Sequence, residues 1–181
     1  MSTIKPFHAI DLFKTNHVNL DVLTENYQIG FYLQYLALWP TLFFQSQNTA
    51  GEICGYMMAK TEGKQRDWHG HITAVTVAPD SRRVGIARDL CKELERRCDD
   101  PYEAYFLDLF VRTTNVMAIN MYKGFGYSVF RRVVGYYGSG DNRSDTEDAF
   151  DMRLPLKRDT ERQSVRENGE TFRVSPSEVV F

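Results

Sequence analysis

The spacing of apolar and polar positions changes along the chain and predicts a series of strands and helices. Strands are expected over 4–7, 42–47, 52–60, 71–77, 104–112, 127–137 and 149–154, where apolar and β-branched residues form short runs between turn signals. Helical spacing predicts helices over 9–13, 30–39 and 87–98, with a fourth beginning near Asn115. The aromatic-rich stretch 30–39 is expected to be mostly buried, and 104–112 to be buried on both faces.

Composition favours one globular domain followed by a tail. Of the 181 residues, 43% are hydrophobic, which is enough for a core, whereas the segment from Pro155 onward is highly charged and has little apolar periodicity. We therefore expect a domain over 1–154 and a charged tail over 155–181 that lies outside the core.

Charge and cysteine content exclude several classes of protein. The formal net charge of -2 argues against a general binder of nucleic acid, since such proteins carry a basic excess. The three cysteines form no CxxC pair and cannot all pair within the chain, which favours a reducing compartment. Neither a secretory signal pattern nor an apolar stretch of membrane-spanning length is visible, so a soluble, cytoplasmic protein is expected.

A loop that suits a phosphate group is predicted between the strand that ends at Val77 and the helix over 87–98. Residues 82–87, RRVGIA, fit the pattern [QR]xxGx[GA]. A helix start offers unpaired backbone N–H groups and a partial positive charge, and a glycine at position 85 lets a pyrophosphate approach the backbone. By itself the pattern is equally compatible with a simple helix cap.

A second motif follows the next buried strand. Residues 115–127, NVMAINMYKGFGY, fit NxxAxxxYxxxGY. Together the two motifs resemble the acetyl-CoA-binding motifs of the GNAT superfamily, and the resemblance runs from the first strand to about Leu154. It implies the GNAT fold, of the α/β (α+β) class. In that fold helices flank a mixed central sheet, and two adjacent strands, here 71–77 and 104–112, splay apart to admit the pantetheine arm.

The resemblance also implies which residues bind acetyl-CoA. Backbone amides of the loop are expected to hold the pyrophosphate, and the Val77 main chain is expected to pair with pantetheine. Asn115 and Tyr122 are expected near the cofactor, although without the resemblance they are a helix cap and a core aromatic. The full expected set is Val75, Val77, Arg82, Arg83, Val84, Gly85, Ile86, Ala87, Asn115 and Tyr122.

Further segments indicate the acceptor amine and the partners. LTENY (23–27), FYLQYLALWP (31–40), DWHGHITAVTVAP (67–79), AINMYKGFGYSV (118–129) and the pair Tyr136-Tyr137 are similar to catalytic subunits of N-terminal acetyltransferase B (NatB) complexes. The resemblance implies acetylation of protein N-termini that begin Met-Asp, Met-Glu, Met-Asn or Met-Gln. It also implies a large helical-repeat auxiliary subunit that docks the enzyme at the ribosome, with the helix over 30–39 and the tail as candidate contact surfaces.

Transfer of an acetyl group to an α-amine does not require a strongly nucleophilic side chain. An α-amino group has a pKa of about 8, so a useful neutral fraction exists at pH 7. A backbone N–H near Val77 is expected to stabilise the oxyanion, and by resemblance Tyr122 protonates the leaving thiolate. Glu25 orders its loop, binds the peptide backbone or acts through water as a base, or else is a solvated carboxylate. No metal is expected, because His69 and His71 have no carboxylate or cysteine nearby in a metal-ligand pattern.

Recognition of the substrate needs an apolar slot for Met and a polar group for the second residue. The expected substrate-binding residues are Glu25, Tyr27, Phe31, His71, Thr73, Tyr136 and Tyr137. The expected slot consists of Tyr27, Phe31 and Tyr136. His71 and Thr73 face one side of a strand and are expected to read the second residue, with a satisfied strand histidine as the alternative for His71. Tyr136 and Tyr137 are adjacent and face opposite ways, which leaves one of them to donate to the peptide backbone.

Two rival functions remain open at this point. A GNAT enzyme can acetylate lysine side chains or small amines, because the fold alone does not name the acceptor. A protein of this fold can also be a non-catalytic acyl-CoA-binding subunit. The acceptor and the turnover therefore need a direct test.

Overall fold

The computed structural model describes residues 2–22, 24–138 and 146–179. The chain divides into two compact units: the first unit contains residues 1–61 and 72–102, and the second unit contains 62–71 and 103–181. Leu23 of the LTENY segment and most of the predicted loop over 138–148 lie outside the described residues. None of the helices in the described ranges has both the length and the apolar character that a membrane span requires.

The first unit consists of strands and three helices. Its strands are β1 (Thr3–Pro6), β2 (Phe43–Gln47), β3 (Ile53–Glu62) and β4 (His69–Val77), in the order β1-β2-β3-β4. The pairs β1/β2 and β2/β3 are antiparallel, and β2 and β3 form a hairpin. The helices are α1 (Asn16–Asn19), α2 (Ile29–Leu38) and α3 (Ile86–Asp99). The last residue of β3 and the first three of β4 belong to the second unit.

The predicted helix over 9–13 is a 3₁₀ helix, Ala9–Lys14. Asp11 is buried within it, and its carboxylate accepts hydrogen bonds from the His8 backbone N–H at 3.0 Å and from the Gln45 amide at 2.8 Å. These bonds tie the short helix to β2, so a tertiary contact rather than apolar spacing determines its geometry.

Helix α3 confirms the predicted one-sided pattern. Leu90, Cys91, Leu94 and Cys98 are buried, as residues of an apolar stripe should be. Burial raises the pKa of the Cys91 and Cys98 thiols to about 12, so both remain protonated and unreactive at neutral pH. Both cysteines are therefore core residues of the first unit.

Helix α2 is less buried than the sequence predicts. Tyr32 and Tyr35 pack into the core of the first unit, but Ile29, Leu33 and Leu38 are 59%, 42% and 57% exposed. The prediction of a mostly buried helix is wrong because apolar residues surround α2 on every side, while the core accepts only one stripe of it. An exposed apolar surface of this kind is typical of a contact site for another protein.

The second unit contains a mixed sheet. Its elements are β5 (Phe106–Arg112), α4 (Val116–Gly124), β6 (Ser128–Tyr137), β7 (Glu147–Pro155) and β8 (Arg173–Val174). From the start of β4 the order is β4-β5-β7-β6-β8; β4/β5 and β6/β8 are parallel, and β5/β7 and β6/β7 are antiparallel. The β4/β5 pairing covers His69↔Phe106 to His71↔Asp108. The splay of the two strands beyond it stays a prediction.

The expectation that the segment 155–181 lies outside the core is wrong for its described residues. Strand β8 pairs with β6, and Val174 and Val179 pack into a hydrophobic cluster with residues of β6 and β7. The polar residues of the segment are also used: the buried Asp159 carboxylate accepts hydrogen bonds from the backbone N–H and hydroxyl of Ser164. The charged residues of this segment thus include some whose hydrogen-bond partners lie within the segment itself. A domain boundary at residue 154 stays a prediction.

Gly169 provides a test of this packing. A Cβ at Gly169 would lie 1.9 Å from the Val129 carbonyl oxygen, a backbone atom that cannot rotate away. We expect Gly169→Ala to lower the free energy of unfolding by about 1–3 kcal/mol in a urea titration. Gly124→Ala is the matched control: a Cβ there meets nothing within 4 Å, so the change should be neutral or slightly stabilising. Equal stability of the two variants would show that the segment does not rest on β6.

Candidate active site

The loop between β4 and α3 has the backbone geometry of an anion-binding site. After a 3₁₀ turn at Pro79–Ser81, Arg83 and Gly85 take positive φ angles of 68° and 96°. Gly85 is the N-cap of α3 and, within the described part of the chain, no side chain caps the helix there. The first-turn N–H groups therefore face outward beside open space, since a Cβ on Gly85 would meet nothing within 4 Å.

Arg82 connects this loop to the segment before α2. Its Nε donates to the Val77 carbonyl oxygen at 3.2 Å, and its guanidinium forms a short ion pair with Asp21. Nearby, the Thr24 and Thr76 hydroxyls are 2.8 Å apart. The segment that follows α1 is thus fixed to the end of β4 through side chains. The predicted contact of Arg82 with the cofactor stays a prediction.

An aromatic cluster in the first unit brings together four of the predicted substrate residues. The Tyr27 hydroxyl donates to the Thr73 carbonyl oxygen at 3.3 Å and lies 3.4 Å from a Glu25 carboxylate oxygen, and its ring stacks on Phe31. Burial raises the pKa of Tyr27 well above its ordinary value, so the hydroxyl remains a neutral donor. Tyr35, which sequence reasoning did not select, lies 2.7 Å from the Thr73 hydroxyl through its own hydroxyl.

The start of β4 carries a polar cluster in the second unit. In the parallel register His69 lies opposite Phe106, on which its ring stacks, and His71 lies opposite Asp108. The His71 Nδ1 is 2.8 Å from Asp108 Oδ1, and its side chain is only 12% exposed. Glu62, at the end of β3, lies 3.6 Å from His69 and 3.8 Å from His71. The premise that no carboxylate lies near these histidines is therefore wrong.

Opposite charges stabilise one another inside this cluster. Burial disfavours protonation of His69, but Glu62 and Asp108 outweigh burial and raise its pKa to about 9. Burial likewise disfavours ionised Asp108, yet His71, His69 and Arg153 hold the pKa of that carboxyl below its ordinary value. At neutral pH His69 is therefore a cation and Asp108 an anion.

The same cluster has a spacing that a metal ion would accept. Donor atoms of Glu62, His69 and His71 lie within 4.8 Å of one another. However, each imidazole Nδ1 already faces an oxygen: His69 faces the Asp67 carbonyl at 2.6 Å, and His71 faces Asp108. These hydrogen bonds, together with the contacts to Glu62, are sufficient to explain why the three side chains lie close together. The expectation that no metal is bound stays a prediction.

A row of aromatic rings extends from His71 along the second unit. His71 and Phe110 have ring centroids 5.7 Å apart, Phe110 and Tyr136 stack at 4.7 Å, and Tyr136 and Tyr137 meet edge-on at 5.0 Å. The two tyrosines are not on opposite sides as predicted, because an irregular register and a positive φ of 66° at Gly135 bend β6. The Tyr137 hydroxyl donates to the Phe110 carbonyl oxygen at 3.1 Å.

Helix α4 begins and packs as expected. The Asn115 side chain accepts a hydrogen bond from the Ala118 N–H at 3.1 Å, which confirms its role as the N-cap. Tyr122 is buried, and its ring packs edge-on against Phe125 and Tyr127. Both residues thus have the structural roles that sequence reasoning offered, and their contacts with a cofactor stay predictions.

The family model described as "Acetyltransferase (GNAT) family" matches residues 11–127, the span from the first 3₁₀ helix to the end of the second motif. The chain belongs to the GNAT acetyltransferase family. The predicted fold and the predicted enzyme class, an acetyltransferase, are thereby confirmed.

Relatives cover the whole of this GNAT chain. It is 50% identical over 196 aligned residues to the N-terminal acetyltransferase B complex catalytic subunit NAT3 of Saccharomyces cerevisiae, with 100% of each chain covered. The solved structure of Chaetomium thermophilum Naa20 in complex with a bisubstrate analogue has a TM-score of 0.89 and 49% identity, covering 97% of each chain. A NatB acetyltransferase complex bound to CoA and MES gives a TM-score of 0.76 and 52% identity, covering 85% of this chain and 99% of that one.

The predicted site residues of this acetyltransferase fall into two groups. The first unit holds Glu25, Tyr27, Phe31, Thr73, Val75, Val77 and residues 82–87. The second unit holds His71, Asn115, Tyr122, Tyr136 and Tyr137. Four neighbours were missed: Tyr35, Glu62, Asp108 and Phe110. Of these Asp108 left a signal in the sequence, because it is a lone charge in the apolar run AYFLDLFV and a buried carboxylate needs a partner.

Proposed function

We propose that this protein transfers the acetyl group of acetyl-CoA to the α-amino group of protein N-termini, preferentially Met followed by Asp, Glu, Asn or Gln. The observation that carries the proposal is the full-length similarity to catalytic subunits named for N-terminal acetylation, such as the yeast subunit at 50% identity. The alignment with that subunit covers the whole chain and therefore extends past residue 127, where the match to the GNAT family model ends.

Acetyl-CoA is the co-substrate, and the β4–α3 loop is the proposed site for its pyrophosphate. Uncapped N–H groups at the start of α3 suit an anion, and the positive φ at Gly85 turns them outward. The Val77 carbonyl oxygen accepts a hydrogen bond from Arg82 Nε, and the Val77 main chain is proposed to pair with the pantetheine portion of acetyl-CoA. Asn115 and Tyr122 keep their proposed places near the cofactor, with Val75 alongside on β4.

The reaction needs one nucleophile and two proton transfers. The neutral α-amine forms a bond from nitrogen to the acetyl carbonyl carbon, and the Val77 N–H is proposed to stabilise the oxyanion that results. The C–S bond then breaks, and Tyr122 protonates the departing thiolate. The amine loses its proton to water, with Glu25 proposed as the base that acts through it. Modest base assistance suffices, since the pKa of an α-amine is about 8.

Selection of the substrate is proposed to use aromatic side chains for Met and polar side chains for the second residue. Stacked Tyr27 and Phe31 suit the Met side chain, and Tyr136 is proposed as a further aromatic contact of the substrate. His71 is proposed to read the second residue, because Thr73 already shares its hydroxyl with Tyr35. Tyr137 keeps a proposed role in binding the peptide backbone, through its hydroxyl oxygen as an acceptor, because its proton is donated to a carbonyl.

The partner is proposed to be a large helical-repeat auxiliary subunit, as in NatB complexes, through which the enzyme docks at the ribosome. Exposed apolar residues of the first unit support this: Ile10, Phe13, Leu20, Val22, Ile29, Leu33 and Leu38. Side chains of this size left in water favour burial against another protein. No direct contact with nucleic acid or membrane is proposed, and a cytoplasmic location stays a prediction.

A peptide panel with radiolabelled acetyl-CoA tests the proposal. We expect a Met-Asp peptide to be acetylated with a kcat/KM about ten-fold or more above that of a Met-Leu peptide, since an unpaired buried polar group costs roughly 1–3 kcal/mol. A peptide with a blocked terminus and an internal lysine, and a small polyamine, are the controls and should give no product. Acetylation of lysine or polyamine alone would contradict the proposal. Binding of acetyl-CoA with no turnover would instead indicate a non-catalytic subunit.

A further inference from the structure

The segment 20–28 connects α1 to α2 and carries Tyr27, a proposed contact of the substrate Met side chain. None of its described residues belongs to a helix or a strand. Leu20 and Val22, which flank Asp21, are 84% and 93% exposed, so burial of apolar side chains does not hold this part of the segment in place. Its position therefore depends on individual side-chain contacts.

Two of these contacts lead to β4. The Thr24 hydroxyl lies 2.8 Å from the Thr76 hydroxyl. The Tyr27 hydroxyl donates to the Thr73 carbonyl oxygen at 3.3 Å. Both contacts fix the later half of the segment, where the peptide is proposed to bind, and neither involves the residues around position 21.

The earlier half of the segment is anchored to the proposed phosphate loop. Asp21 forms a short ion pair with Arg82, the first residue of the RRVGIA motif. The side chains of Asp21 and Arg82 are 10% and 34% exposed, so water screens this pair less than an ion pair on the open surface. The Arg82 Nε also donates to the Val77 carbonyl oxygen at 3.2 Å. The side chain of Arg82 thus has two partners within the protein.

The phosphate motif itself does not require a positive charge at position 82. Its pattern, [QR]xxGx[GA], accepts glutamine or arginine as the first residue. A pyrophosphate that binds to backbone N–H groups at a helix start depends on the main chain of the loop and on Gly85, which are present with either residue. The Arg82 charge is therefore available for another purpose, and in the structure it is paired with the Asp21 carboxylate.

We propose that Asp21 and the Arg82 side chain are positioning residues for the substrate peptide: their ion pair holds the segment 20–28 in the conformation that binds the peptide N-terminus. The proposal rests on the proposed function, in which this segment contacts the peptide and the β4–α3 loop holds the pyrophosphate. The Arg82 guanidinium then serves the peptide. The predicted contact of Arg82 with acetyl-CoA is narrowed to its main chain.

Two single substitutions distinguish these roles, assayed with the proposed auxiliary subunit present. Asp21→Asn and Arg82→Gln each remove one charge of the pair, and Arg82→Gln still fits the pattern of the phosphate loop. We expect each variant to raise KM for a Met-Asp peptide about ten-fold, through the loss of a charge-assisted hydrogen bond. The Kd of acetyl-CoA, from calorimetric titration without peptide, should stay within about two-fold of the parental value.

Three further variants make the result specific to the pair. Asp21→Glu keeps the carboxylate and should keep KM for the peptide close to the parental value. The double variant, Asp21→Asn with Arg82→Gln, should raise this KM no further than either single variant, because both changes break one contact. Glu93→Gln is the matched control: Glu93 pairs with Arg96 and Arg97 on α3, and its loss should leave both constants unchanged.

Several results would overturn the proposal and leave the proposed N-terminal acetylation intact. A loss of acetyl-CoA affinity in Arg82→Gln as large as the rise in peptide KM would make the guanidinium a phosphate ligand. Rises in peptide KM that multiply in the double variant would show that Asp21 and Arg82 act separately. An unchanged peptide KM in Arg82→Gln would overturn the proposal by itself, whether or not Asp21→Asn folds. By contrast, a parental enzyme that does not acetylate the Met-Asp peptide would contradict the proposed function.

Discussion

Tyr122→Phe is expected to lower kcat for a Met-Asp peptide by about 100-fold, with much smaller changes in KM for peptide and for acetyl-CoA. The substitution removes the proposed proton donor to the departing thiolate, a group that acts mainly in the transition state. The ring is kept, and it packs edge-on against Phe125 and Tyr127 at centroid distances of 6.3 and 5.6 Å. We therefore expect the fold to survive, and steady-state kinetics with both substrates varied gives each constant.

Tyr127→Phe is the matched control for this experiment. It removes one hydroxyl from the buried ring that packs directly on Tyr122, and it leaves the proposed donor in place. Its kcat should stay close to that of the parental enzyme. Equal losses in the two variants, or a rise in KM in Tyr122→Phe with kcat preserved, would make Tyr122 a packing residue.

The elements that the sequence predicts well are those determined by local spacing. Helix α3 follows from a one-sided apolar stripe, and the start of α4 from the capping residue Asn115. The β4–α3 loop follows from a glycine between a strand and a helix, and the structure gives that glycine the positive φ that the motif needs. In each case the determining contacts lie within a few residues of one another.

The elements that the sequence does not predict depend on distant contacts. Strand β8 is two residues long and exists because it pairs with β6, and local composition there indicates a charged tail. His71 and Asp108 meet because two parallel strands align them, although they are 37 positions apart. The bend at Gly135 that brings Tyr136 and Tyr137 together is likewise a feature of sheet pairing. Register between strands is not encoded in the spacing of either strand alone.

Gly85→Val is expected to weaken acetyl-CoA binding by about 100-fold, the loss of one or two charge-assisted hydrogen bonds to a phosphate. Two effects combine. The valine side chain enters the open space beside the start of α3, where the pyrophosphate is proposed to lie. In addition, a β-branched residue disfavours the φ of 96° that Gly85 adopts, so the loop must move and turn its N–H groups away. Calorimetric titration of acetyl-CoA gives the affinity directly.

Gly51→Val separates these two consequences from a general loss of stability. Gly51 lies in the turn between β2 and β3, has a φ of 83° and, like Gly85, would place a Cβ that meets nothing within 4 Å. The two variants should therefore lose similar stability, roughly 1–2 kcal/mol of backbone strain. Only Gly85→Val should lose affinity, because the turn at Gly51 is not part of the proposed phosphate loop. If both folded variants bind acetyl-CoA as tightly as the parental chain, the loop over 82–87 is a helix cap and the pyrophosphate binds elsewhere.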